Sequence, residues 1–148
     1  MVYILIILSI FISDNLIKKY IEENKEFHKE EEILKGQIIL TKYHNRGAML
    51  NFLEKKPYAV KVISAMMLVL IGGILCFLIP KKGDKLLKLS LSLVLGGGCS
   101  NIYDRLTKGY VVDYFSFKRL KKVVFNNSDM CIIIGSFLAS IAILIKKK

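Results

Sequence analysis

The sequence predicts an integral membrane protein, mainly α-helical, with four transmembrane helices and a small strand-rich element between the first two. Three observations carry this reading. Of 148 residues, 53% are hydrophobic and the mean hydropathy is +0.45, values of the membrane class rather than the soluble one. A helix needs about 20 residues to cross about 30 Å of hydrocarbon, and four apolar runs approach that length. Basic residues gather at the ends of those runs as KK, KKGDK, KRLKK and KKK, where lysines and arginines anchor against anionic headgroups.

The first span is residues 2–20, with Asp14, Asn15 and Lys18 interrupting its outer third. No basic region precedes it and no small-residue cleavage site follows, so it reads as a retained span. Residues 22–57 open with EENKEFHKEEEILK, a solvated loop or exposed helix, and continue as QIILTKYHNRGAMLNFL. That second stretch favours strands and carries a turn signal at Asn45 to Gly47, which predicts a small β element on the membrane surface. The second span, 58–80, is unbroken, and the KKGDK loop after it is too short to hold a domain. The third, 86–106, carries Gly96, Gly97 and Gly98, which allow close helix packing, and then Asn101, Asp104 and Arg105. A β-branched and aromatic loop containing Asp113 leads to the fourth span, 128–145, just before which Asn126 and Asn127 supply helix-start chemistry. The whole chain, 1–148, reads as one domain without internal repeats.

Several function classes are disfavoured. The bases punctuate apolar runs and build no patch on a soluble fold, which argues against nucleic acid. Cys76, Cys99 and Cys131 are odd in number, lie in apolar segments and lack any CxxC spacing, so they read as buried free thiols. His28 and His44 stand alone, and no metal or other cofactor is expected.

Four crossings return the chain to its starting side. The ends of the first and third helices and the start of the fourth then share one face, which gathers Asp14, Asn101, Asp104, Arg105, Asp113, Asn126 and Asp129. Carboxylates cost several kcal/mol at membrane depth, so such a gathering marks a working site. KKGDK and the terminal KKK make the opposite side densely basic, whereas seven acidic residues offset seven basic ones in the loop of residues 22–57. Both termini are therefore expected in the cytoplasm and the site near the outer face, with Lys118, Arg119, Lys121 and Lys122 as the charges that oppose this orientation.

Two carboxylates sharing one proton can hydrolyse a peptide without metal, serine or cysteine: one takes a proton from water while the other donates to the scissile carbonyl. Asp129 lies in the first helical turn after Ser128, a possible N-cap, and the helix dipole favours its charged form, which makes Asp113 the expected proton carrier. Asn101, Asp104 and Arg105, at i, i+3 and i+4, can share one helix face in support, although Asp104 and Arg105 could equally be a helix-end charge pair. Asp14 and Lys18 have the favourable i, i+4 order of a structural pair. A small ion or proton conductor would use buried carboxylates too, but would need them along a full crossing.

The ordered set DNLIK at 14–18, HNRGAMLNFL at 44–53, GGGCSNIYDRLTKGYVVDYFSF at 96–117 and FNNSDM at 125–130 resembles the lipoprotein signal peptidases, or signal peptidase II family, over nearly the whole chain. The resemblance implies a four-helix membrane domain with a small extracytoplasmic β-cradle in the bacterial plasma membrane. It implies an aspartic endopeptidase that cuts prolipoproteins in front of a diacylglyceryl-modified cysteine, acting as a monomer among membrane lipids. By similarity Asp113 and Asp129 are catalytic. Asp14, Lys18, Asn45, Gly47, Asn101, Asp104, Arg105 and Asn126 bind substrate or support the site. This chain departs from the usual family wording at Asn15, Ile17, Arg46, Met49, Leu50, Ser100 and Ser128. A non-hydrolytic relative that binds lipopeptides or an inhibitor is the alternative.

Overall fold

The computed structural model describes residues 1–47 and 54–146; the stretch 48–53, with Met49 and Leu50, lies outside the described residues. Among the described residues there are four long helices: α1 (Val2–Asn24), α2 (Pro57–Leu78), α3 (Lys85–Thr107) and α4 (Asn127–Lys146). Three of them, α2 to α4, are long and apolar enough to cross a membrane; α1 has the length but carries Asp14, Lys18 and Lys19. Pro57 stands at the first position of α2, where its missing N–H costs nothing. Gly109, at φ +86°, follows the end of α3 and lets the chain reverse into the sheet.

Burial runs opposite to that of a water-soluble protein. Asp14, Lys18, Asp104, Asp113 and Asn126 are buried, while Leu5, Leu8, Met66, Val69, Phe77, Phe137 and Leu144 stand exposed on the helices. Charges inside and hydrocarbon outside is stable only where the surroundings are apolar.

The bundle is organised around α3, against which α1, α2 and α4 each pack. Half of its apolar stretch is buried, against 11% for α2 and for α4. Its three consecutive glycines face three different neighbours: a methyl at Gly96 would press on Ile10 of α1, at Gly97 on the Ser128 carbonyl of α4, and at Gly98 on Leu68 of α2. Three adjacent positions on one helix point in three directions, so a hub touching three helices needs all three to be small.

The strands β1 (Glu31–Ile33), β2 (Ile38–Asn45) and β3 (Val111–Phe117) form an antiparallel sheet in the order β1-β2-β3. The expected strand-rich element is thus present, with two differences. The acidic-basic run after residue 22 is neither loop nor new helix throughout, since α1 continues to Asn24 and Glu31–Ile33 pairs with β2. Asp113, expected in a loop, lies in a strand: Val111 to Tyr114 are buried without a break, which erases the alternation by which a half-exposed strand is recognised. The cysteines are free but less buried than expected. Cys76 is exposed on α2, and Cys99 and Cys131 are half-buried, because the helix surfaces that carry them face outward.

Candidate active site

Two local devices bring Asp113 and Asp129 together. Between Leu40 and Tyr43 the register of β2 against β3 slips by a residue, so that Tyr43 lies opposite Asp113. Such a bulge bends the strand and re-aims the side chains beside it. On the other side, Phe125 bridges Phe115 antiparallel, its N–H donating to the Phe115 carbonyl at 2.7 Å, which fastens the approach to α4 against β3. The helix then starts with a reciprocal cap. The Asn126 side-chain carbonyl accepts the N–H of Asp129 at 2.8 Å, and a carboxylate oxygen of Asp129 accepts the N–H of Asn126 at 3.2 Å. Asn126 is therefore the N-cap, not Ser128. Ser128 Oγ donates to Asp14 instead.

Asn126 also ties the two carboxylates to each other, since its Nδ2 donates to Asp113 Oδ1 at 2.7 Å while its backbone holds Asp129. Asp113 Oδ2 accepts from Asn45 Nδ2 at 3.0 Å, and Asp129 Oδ1 accepts from Asn101 Nδ2 at 2.8 Å. Burial and the neighbouring charge of Asp129 push the Asp113 carboxyl up to about 8, against the pull of its two amide donors.

Behind this pair lies a fully buried cation. Lys18 Nζ is 2.9 Å from Asp14 Oδ2 and 3.1 Å from Asp104 Oδ2, and it donates to Ser100 Oγ and Asn101 Oδ1 at 3.0 and 2.9 Å. Asn101 thus stands between Lys18 and Asp129 and transmits the position of one to the other. Asp14 accepts from Ser100 at 2.6 Å and from the Tyr114 hydroxyl at 3.1 Å. That hydroxyl in turn accepts the otherwise orphaned N–H of Asn127 at 2.8 Å. Asp104 accepts the N–H of Val112 at 3.2 Å and pairs with Lys108 at 2.8 Å, which pins the start of β3.

Arg105 and Asp104 do not form a pair. Arg105 Nη2 donates to the Gly47 carbonyl at 2.9 Å, and Gly47 N–H donates to Asn45 Oδ1 at 3.0 Å, so that Arg105 braces the turn from which Asn45 reaches Asp113. These groups border a cavity of about 420 Å³ lined by Asn45, Arg105, Asp113 and Asp129 at its polar end and by Met67, Ile71, Val94 and Ile133 further along. Ile63, Met67 and Ile133 line the cavity and are also exposed, so it opens sideways between α2 and α4.

All ten residues singled out from the sequence fall in or around this cluster. Reading the sequence missed Ser100, Tyr114 and Lys108 and misassigned Ser128. Ser100, Tyr114 and Ser128 act through contacts between distant chain segments, such as the hydroxyl of Ser100 on Asp14, which no local pattern announces, whereas Lys108 stands four residues after Asp104, a local spacing that could have found it. Burial of Tyr114 beside Asp14 pushes its phenol up, which keeps the hydroxyl available as a donor.

Residues 6–145 match the family model described as Signal peptidase (SPase) II. A lipoprotein signal peptidase of Caldicellulosiruptor bescii is 36% identical over 97% of this chain and 91% of that protein. One from Lactiplantibacillus plantarum is 32% identical over 97% and 94%. Among solved structures, a bacterial membrane enzyme determined by the in meso method at 2.3 Å resolution superposes with a TM-score of 0.84 at 24% identity, covering 99% of this chain and 90% of that one.

Proposed function

Because this chain belongs to the signal peptidase II family, an aspartic protease family that removes signal peptides from prolipoproteins, we propose that Asp113 and Asp129 are the pair that cleaves. The observation that carries the assignment is Asn126, whose side chain and backbone hold one carboxylate each. In the resting pair Asp113 carries the shared proton. Asp129 takes a proton from water, the hydroxide attacks the scissile carbonyl carbon, and Asp113 gives its proton to the carbonyl oxygen. On collapse Asp113 regains a proton from the diol, and Asp129 passes its own to the departing nitrogen. Asn101, Asn126 and Asn45 fix the two carboxyls; Asp14, Lys18, Asp104 and Arg105, with Gly47, hold those amides in place.

With Asp113 protonated up to about pH 8, cleavage runs at neutral pH and falls as pH rises through that value, since losing the proton leaves two like charges and no acid. A kcat/KM profile that stayed flat through this range would contradict the assignment of the proton.

The preferred cut lies in front of a diacylglyceryl-modified cysteine. The cavity supports this, because its apolar length between α2 and α4 suits acyl chains while its polar end holds the peptide bond. Apolar burial contributes about 25 cal/mol per Å², so the lipid supplies much of the binding. Purified enzyme should cleave lipid-modified prolipoprotein and leave the unmodified form nearly intact; equal cleavage of both would overturn the lipid assignment. Binding without cleavage would mark a non-hydrolytic relative, and the gathering of carboxylates at one end of the bundle speaks against a conductor.

In this reading 1–148 is a single, monomeric membrane domain in the bacterial plasma membrane. The helix α1 spans as well, its charges Asp14 and Lys18 neutralised against each other inside the bundle. Both termini are cytoplasmic and the sheet is extracytoplasmic. In a background without native thiols, a membrane-impermeant reagent added outside should label Glu30→Cys and Arg119→Cys and spare Gly83→Cys, and the reverse pattern would invert the topology.

A further inference from the structure

The hairpin between β1 and β2 ends in a turn with an uncommon occupant. Leu34 and Lys35 both take left-handed conformations, φ 50° and 57°, positions where Gly or Asn is usual. Leu34 is nonetheless 68% exposed, so the leucine serves neither the turn nor a core. Beside it runs the end of β3. Ile33 pairs with Ile38 and Ile38 with Phe117, and the N–H of Lys118 donates to the Gln37 carbonyl at 3.0 Å, joining tip and turn into one surface. Ile33, Leu34, Phe117 and Leu120 are exposed on it, interleaved with exposed Lys35, Lys118, Arg119, Lys121 and Lys122. Glu32 is the one acidic residue in the two segments 32–37 and 117–122, since nearby Glu31 is paired with Lys25 at 2.6 Å. None of the five bases forms an ion pair among the described residues.

The turn's position says what it meets. The residues directly after it, Val123 and Val124, line the cavity that opens between α2 and α4, which in the membrane placement proposed above sets the patch at the level where those helices leave the hydrocarbon. Bases are also scarce in short loops on the outer side of a membrane, so four in five residues there need a reason other than orientation. Apolar side chains interleaved with unpaired bases at such a level match a surface that dips into the headgroup layer and draws in its anions. We propose that the hairpin tip 33–37 and the turn 117–122 together form a docking patch for the headgroups of anionic phospholipids, beside the mouth of the cavity. The proposal rests on the membrane placement argued above and goes beyond the cleavage reaction.

The chain contains no tryptophan, so Leu34→Trp introduces a single reporter at the tip. Full-length protein carrying it is placed in nanodiscs of phosphatidylcholine alone or mixed with phosphatidylglycerol, each with brominated acyl chains. Emission should be blue-shifted and quenched in the phosphatidylglycerol discs and much less so in phosphatidylcholine. The difference should disappear at ~1 M salt, where the screening length falls to about 3 Å, and in a variant that adds Lys118→Glu, Arg119→Glu, Lys121→Glu and Lys122→Glu. An unchanged melting temperature of that variant in detergent shows that its loss of quenching is not unfolding. If the variant melts early, Lys121→Gln with Lys122→Gln takes its place, with a partial loss expected. Quenching equal in both lipids, absent in both, or indifferent to the charge changes overturns the proposal. So does a blue shift without bromine quenching, which would place the tryptophan against protein rather than lipid. No substrate enters the measurement, so a negative result leaves the peptidase assignment standing.

Discussion

Asp113→Asn and Asp129→Asn are each expected to lower kcat on lipid-modified prolipoprotein by roughly 10⁴-fold or more, with the double variant little worse than either single one. An amide can neither accept the proton of the attacking water nor donate a carboxyl proton to the scissile carbonyl. The surroundings make the loss sharper still. The Asp113 oxygens face two amide donors, Asn126 Nδ2 at 2.7 Å and Asn45 Nδ2 at 3.0 Å, so an asparagine there must turn an NH₂ against one of them. Single-turnover cleavage by purified variants, with circular dichroism and melting curves to establish folding, checks the expectation. Near-normal turnover by either folded variant would refute the two-carboxylate mechanism.

Lys18→Met should give the largest loss of stability, about 3–5 kcal/mol, because it removes one partner of a buried ion network and leaves the other uncompensated. Asp104 keeps Lys108 at 2.8 Å, but Asp14 keeps only hydroxyl donors for its negative charge. Adding Asp14→Asn should therefore restore part of the loss, since a neutral amide no longer needs the cation. Melting temperatures in detergent for the single and double variants measure this. If the double variant were less stable by the full sum of two independent losses, Asp14 and Lys18 would not act as a pair. Activity should suffer in both, because Asn101 loses the ammonium that holds its carbonyl at 2.9 Å.

How much of this could be read in the sequence depended on how unusual each residue was in its surroundings. The helices announced themselves by length and apolarity, and their ends fell within a few residues of expectation. Carboxylates stood out because charge is scarce in and beside apolar spans, so Asp14, Asp104, Asp113 and Asp129 were all singled out. The strand carrying Asp113 was hidden by its own burial, since VVDYFSF has no regular polar alternation. The cap was ambiguous because Asn126, Asn127 and Ser128 are all good N-caps, and the choice falls to Asn126 only when Phe125 is fastened to β3. Hydroxyls such as Ser100 and Tyr114 look ordinary in sequence; their importance comes from meeting Asp14 across 86 and 100 residues.

The three-glycine hub divides the molecule into a stiff part and a compliant one. On two sides of α3 the neighbours press hard, with Ile10 against Gly96 and the Ser128 backbone against Gly97, and the Lys18 network crosses the same two seams. The third side differs: α2 meets Gly98 through the end of a leucine side chain, which can swing aside at low cost. Asp113 and Asp129 ride on β3 and α4, in the stiff part. On the lipid-binding function proposed above, the wall best able to yield to acyl chains is α2. On that same proposal, lipid is accommodated at α2 while the spacing of the carboxylates stays as it was, so that tolerance toward lipid and precision toward the peptide bond are carried by different walls of one small bundle.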